Sequence, residues 1–202
     1  MALLTLGNSK LKKAQQLRGA MAATFSLPAQ FTCPFAGECK KFCYAKKGNY
    51  CFKTVKAKHE ANRMASLEDN FTDLINIELL ALRKQAAKKG LTLVIRLHDT
   101  GDFYNVEYIK KWAQIIEQNP DVEFYAYTKA WVLVEKMIKA DNWTMIPSEG
   151  GLLDSQLGNR PRAYVIKKGE EPKLNGTVVG NNDDLRNRDA IKAGYHVGLP
   201  IH

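Results

Sequence analysis

Three runs in this chain, LTLVIRL (91–97), VEFYAYT (122–128) and WTMIPS (143–148), are short and rich in β-branched and aromatic residues, and segments of helical periodicity separate them. That alternation constrains the fold more than any other feature. A run that is apolar on both faces suits a strand buried on both sides, as in a parallel sheet covered by helices. Strand and helix repeating in this way is the pattern of βαβ units. Asn105 stands before Val106, Ile109, Trp112, Ala113 and Ile116 at helical spacing, and the segment stops near Pro120. Ser66, with Asp69 in capping-box position, reads as the cap of the main segment of a long helix. Its apolar face is Phe71, Leu74, Ile75, Leu79, Leu82 and Ala86, and its stop is Gly90. Residues 131–140 and 183–193 read as further helices, and 21–27, 163–168 and 195–201 as strands. Residues 8–20 are polar and basic, a short helix or an ordered arm. The expectation is an α/β protein, a partial (β/α) barrel or an open, mostly parallel sheet, in a single domain over 1–202.

In such sheets, sites are built from the loops at the carboxyl ends of the strands. All four cysteines, Cys33, Cys39, Cys43 and Cys51, lie in the loop after the first expected strand, spaced C-x5-C-x3-C-x7-C. Short loops bring soft ligands together at little closure cost, so the loop reads as metal-binding. Zinc commonly takes pairs spaced C-x2-4-C, and only one gap here qualifies. Iron–sulfur clusters accept looser spacing, and Phe42 directly before Cys43 is placed to shield one from solvent. An iron–sulfur cluster, 4Fe-4S or 3Fe-4S, is the favoured reading, with zinc behind it and two disulfides as the bland alternative.

The other loops of that face are polar. In HDTGDF, His98, Asp99 and Asp102 offer acid–base or metal-binding chemistry, with His98 a candidate non-cysteine ligand; equally, the two aspartates cap the turn and helix, with Gly101 a permissive backbone. Lys129 suits an anion or a cluster's charge, or is a surface lysine at a helix start. Ser148, Gly150 and Gly151 present N–H groups to a phosphate or carboxylate, or form a plain turn. Tyr104, Tyr108, Trp112, Tyr125, Tyr127 and Trp131 read as core, and Asn181, Asn182, Asp183 and Asp184 as a turn and helix cap.

Net charge is +9, and it is concentrated. Residues 1–63 hold 12 Lys/Arg against 2 Asp/Glu, whereas 64–202 hold 18 against 19. The basic segment suits nucleic acid or another anionic partner, offsets the charge of a thiolate cluster, or is a solvated face. No apolar run approaches the roughly 20 residues that span a bilayer, and the N-terminus lacks a secretory h-region. The expected location is cytoplasmic, where thiols stay reduced.

The segments SLPAQFTCPFAGECKKFCYA (26–45), RLHDTGDF, YAYTK, SEGG and GNNDD occur in the order seen in the bacteriophage gene product 88 family, which residues 25–202 resemble. The resemblance implies a phage-encoded protein acting in the host cytoplasm. It carries over Cys33, Cys39 and Cys43, while Cys51 lies outside the motif. A fainter resemblance is to radical S-adenosylmethionine enzymes, in which three cysteines follow the first strand of a partial barrel and leave one iron open to the cofactor. It implies S-adenosylmethionine as a second cofactor and HDTGD as its acidic loop, although their usual spacing is C-x3-C-x2-C. Three functions therefore stand open: an iron–sulfur protein with a redox or regulatory role, a radical enzyme, and a zinc-stabilised nucleic-acid-binding module.

Overall fold

A computed structural model describes residues 2–7, 18–180 and 183–200. The strands expected from the apolar runs form β3 (Thr92–Leu97), β4 (Glu123–Thr128) and β5 (Trp143–Pro147), and β2 (Ala20–Phe25) precedes them. These four lie side by side in chain order and all parallel, with Ala20 opposite Thr92, Val94 opposite Glu123 and Phe124 opposite Trp143. A two-residue strand, β1 (Thr5–Leu6), adds to the β2 edge antiparallel. A second parallel sheet holds β6 (Ala163–Ile166), β8 (His196–Pro200) and β7 (Thr177–Val179), in that spatial order. The two sheets meet at one parallel bridge, Ser148 to Ala163, where the Glu149 N–H also donates to the Ala163 carbonyl at 2.9 Å. The sheet is open: no pairing among the described residues closes it into a barrel.

Both faces are covered, which is why the strands are apolar throughout. Leu93, Ile95, Leu97, Phe124, Ala126 and Phe25 point to the helical side, against α2 (Phe71–Ala87), α3 (Val106–Glu117) and α4 (Trp131–Met137). Trp112 is fully buried there, edge-on to Phe25 and Phe71 at ring-centroid distances of 5.3 and 5.6 Å. Val94, Tyr125, Ile146 and Ala20 face the other way, onto Val197, Ala163 and the last helix, α5 (Asp184–Lys192). Asn105 caps α3 by accepting the Tyr108 N–H at 2.8 Å, as its position predicts. Asp183 caps α5 through the Arg186 N–H; Asn181 and Asn182 lie outside the described residues, as does most of the 8–20 arm.

One element departs from expectation. Ser66 does not begin a helix; it sits in the last turn of α1 (Lys53–Leu67) and is buried. Its hydroxyl donates to the Arg63 carbonyl at 2.7 Å and pairs with the Tyr104 hydroxyl at 2.8 Å. The helix ends after Leu67, where Lys111 Nζ donates to the carbonyls of Ser66, Leu67 and Glu68 at 3.1, 3.3 and 2.7 Å. A cation on the carbonyl end of a helix satisfies its orphan acceptors and its dipole together.

Candidate functional site

The loops after β2, β3, β4 and β5 converge at the carboxyl edge of the sheet. The loop after β2 is a series of tight turns. The Thr32 N–H and hydroxyl both reach the Pro28 carbonyl, and the Ala36 N–H reaches that of Cys33. It then lies against the SEGG turn: the Gly37 and Cys39 N–H groups donate to the Gly150 carbonyl at 2.9 and 3.1 Å, and the Leu152 N–H to that of Phe35 at 2.9 Å. Glycine permits this approach, since a Cβ on Gly150 would stand 3.1 Å from that of Cys39.

Asp102 fastens the same loops from beneath. Its carboxylate accepts the Thr128 hydroxyl at 2.6 Å and the N–H groups of Lys129 and Phe103 at 2.9 and 2.8 Å, and its own N–H donates to the Thr32 carbonyl. Burial pushes its pKa up, opposed by those hydrogen bonds. With its acceptors so occupied, Asp102 ties the HDTGDF, YAYTK and cysteine loops together. Lys129 Nζ donates to Ser148 Oγ at 3.1 Å beside the cysteine loop.

Cys33, Cys39 and Cys43 are half-buried in this arrangement, Cys51 is exposed, and all four are free thiols. Burial pushes Cys33 up to about 12, and Asp102, Cys43 and Cys39 add to the shift. Cys39 is raised by burial, with Lys129 opposing and Cys43 adding. Cys33 thus feels Cys43 and Cys39, and Cys39 feels Cys43. Cys51 is turned elsewhere and donates to the Lys46 carbonyl at 3.0 Å, so the four-cysteine ligand set expected from spacing is not assembled. Among the described residues, no group of three or more His, Cys, Asp or Glu stands close enough to hold a metal ion as placed.

The remaining candidates separate. His98 is buried on the helical side, its Nε2 bonded to the Tyr108 hydroxyl at 2.8 Å and its ring edge-on to Phe103 at 4.5 Å. Burial and then Arg96 hold its pKa down to about 3. It is a neutral core histidine, placed for neither proton transfer nor ligation at the cysteines. Asp99 turns the other way: Tyr50 donates to its carboxylate at 2.9 Å, and Tyr44 to its carbonyl. Gly101 makes the close approach to Leu27 and Thr32 that its backbone allows. The Gly150 and Gly151 N–H groups, offered to an anion by the sequence, are already taken by the Asp154 carboxylate at 2.8 and 3.0 Å.

A polar cluster that sequence reasoning missed lies on the sheet face that packs against α5. Arg96 pairs with Asp184 at 2.8 Å and with Asp99 at 3.5 Å, and its guanidinium stands 5.3 Å from the Tyr127 ring centre. Asp184 also accepts the hydroxyls of Tyr125 and Tyr127 at 2.8 and 3.2 Å. Burial would lower the Arg96 pKa, yet Asp184 and Asp99 hold it above the usual range. The signal was an arginine inside the apolar run LTLVIRL; the sheet places it opposite Tyr125 of YAYT.

Fold and site define a class: an α/β protein with a mostly parallel sheet and a cysteine loop locked to its carboxyl edge. A family model described as gene product 88 matches residues 2–198, and the chain belongs to that family. It is similar to the Gene 88 proteins of Mycobacterium phage L5 and Mycobacterium phage D29, each 34% identical over 116 residues, which is 54% of this chain and 48% of the relative. These relatives place the family in bacteriophages, and the chain spans about half their length. No solved structure matches. No helix among the described residues is long and apolar enough to cross a membrane.

Proposed function

We propose that this phage protein holds an iron–sulfur cluster through Cys33, Cys39 and Cys43 and acts with it in the host cytoplasm in a redox or regulatory role. The observation that carries the reading is a group of three half-buried cysteines, with Cys43 and Cys39 raising the Cys33 pKa and Cys43 raising that of Cys39, in a loop fastened to two others. The donor set fits. Soft thiolates suit iron–sulfur clusters, and burial that disfavours bare thiolates is relieved when a cationic group binds them. Cys51 stands outside, which leaves the fourth position to another side chain or an exogenous ligand. Lys129 beside Cys39 supplies positive charge. When bound, the cluster supplies one-electron chemistry or an open iron; the chain's residues hold it, shield it and balance its charge.

An S-adenosylmethionine enzyme is the second reading, favoured by the placement of the three cysteines after β2. Asp154 counts against one contact it would use, because that carboxylate fills the SEGG amides. A zinc-stabilised nucleic-acid-binding module remains the rival from another class. Anaerobic purification followed by visible and EPR spectroscopy separates the three. The proposal predicts brown protein with broad visible absorption. A spectral change on adding S-adenosylmethionine would favour the enzyme, and colourless protein with bound zinc would sink the iron–sulfur reading.

A further inference from the structure

The cysteine loop exposes aromatic residues along its length, up to the residue before α1. Phe31 is 75% exposed, Phe52 59%, Tyr44 56% and Phe42 50%. Solvent-facing aromatics grouped on one short stretch mark an interaction surface, because each keeps in water a surface that folding would otherwise bury. They alternate with Lys40, Lys46, Lys47, Lys53, Lys56 and Lys58. Among the described residues, the carboxylate ion pairs formed by cations of this stretch are Lys41 with Glu38 and Arg63 with Glu60. The other lysines form no carboxylate ion pair among the described residues.

Between the loop and α1 runs an open groove of about 520 Å³. Lys46 and Lys56 stand along it, and Tyr50, Gln30, His59 and Thr100 line it. Gln30 precedes Phe31, and the groove residue Cys51 precedes Phe52, so each of these exposed rings is one residue along the chain from the groove wall. Arg63 beneath holds the Phe31 ring, 5.2 Å from its centroid.

We propose that this face binds single-stranded nucleic acid, with phosphates on the lysines and bases stacked on the rings and admitted to the groove. Base–aromatic stacking beside a basic track is how unpaired strands are held without sequence preference. A duplex engages the lysines but hides its base faces from the rings. Lysines and aromatics together also suit an anionic lipid surface; the concave groove, lined by hydrogen-bonding groups, favours a base over a bilayer. None of the residues used is one of the three proposed cluster ligands, so this inference stands or falls apart from the cluster.

The test uses the full chain, purified without oxygen, and a fluorescein-labelled oligothymidylate of about fifteen nucleotides, read by fluorescence anisotropy. The expected result is tighter binding of this strand than of a duplex of equal length. A Phe31→Ala/Phe52→Ala variant weakens it about tenfold with iron content and salt slope unchanged. A Lys46→Ala/Lys56→Ala variant lowers the salt slope by about 1.4, at about 0.7 per phosphate contact. Phe31→Leu/Phe52→Leu, which keeps apolar bulk without a ring, weakens binding likewise and guards against misfolding. Equal binding by the aromatic variants, equal binding of duplex, or binding to phosphatidylserine vesicles but not to the strand would each overturn the proposal.

Discussion

Gly101 carries the tightest steric demand at the site. Its φ is +84°, and a Cβ there would lie 2.6 Å from both Leu27 Cβ and Thr32 Oγ1. Neither can retreat, since Leu27 is fully buried and the Thr32 hydroxyl is bonded to Pro28. Gly101→Ala is expected to cost about 3 kcal/mol in urea unfolding and to reduce retained iron; wild-type values for both would contradict this role. His98 gives a pH prediction. Its pKa falls from 6.5 to about 3 on folding, so between those values the unfolded chain binds the extra proton and stability declines as pH falls. Asp102, raised on folding, works in the opposite sense, losing stability as pH rises through its folded value. Relative to His98→Asn, which tolerates the left-handed backbone, the wild type should lose up to about 1.4 kcal/mol per pH unit across that window. Parallel stability curves would refute it. The motif HDTGDF was legible as a loop, but its division of labour was not. Strand alternation after Leu97 would send His98 to the α5 face, and its φ of +64° turns it back to the α2–α4 face.

At the scale of elements, the strands and α3 were legible because burial on both faces and an asparagine cap leave a local record. α1 was not, because its buried positions are Asn62 and Ser66, which carry no apolar stripe. Asn62 is buried to bond the Leu3 and Ser26 carbonyls at 3.1 and 3.0 Å, partners remote in sequence. β1 and β7, two and three residues long, are too short to show a period. The α1 end tests the account of its break. Lys111→Ala removes the cation from three carbonyls and should cost about 1 kcal/mol, with amide exchange quickening in the last turn of α1. Unchanged exchange there would show that the break has another cause.

For the molecule as a whole, the Arg96–Asp184 pair joins β3 to α5. Arg96→Ala leaves the Asp184 carboxylate buried without its cation and should cost about 3–5 kcal/mol. Arg96→Met with Asp184→Leu should recover much of that in the same thermal or urea melts; no recovery would mean that the tyrosine hydroxyls, not the ion pair, set the cost. This long-range pairing was invisible in the sequence, where Asp184 reads as part of a helix cap. The convergence of four strand-end loops was visible, because a parallel sheet puts such loops on one edge. The spacing of four cysteines, by contrast, said nothing about which of them share a surface. The central claim is that Cys33, Cys39 and Cys43 hold an iron–sulfur cluster and Cys51 does not. Iron and acid-labile sulfide per chain, measured on anaerobic wild type, Cys43→Ser and Cys51→Ser, test it most directly. The account predicts about three to four of each in wild type and Cys51→Ser, and a near-complete loss in Cys43→Ser. Iron-free wild type, or equal loss in the two variants, would contradict it.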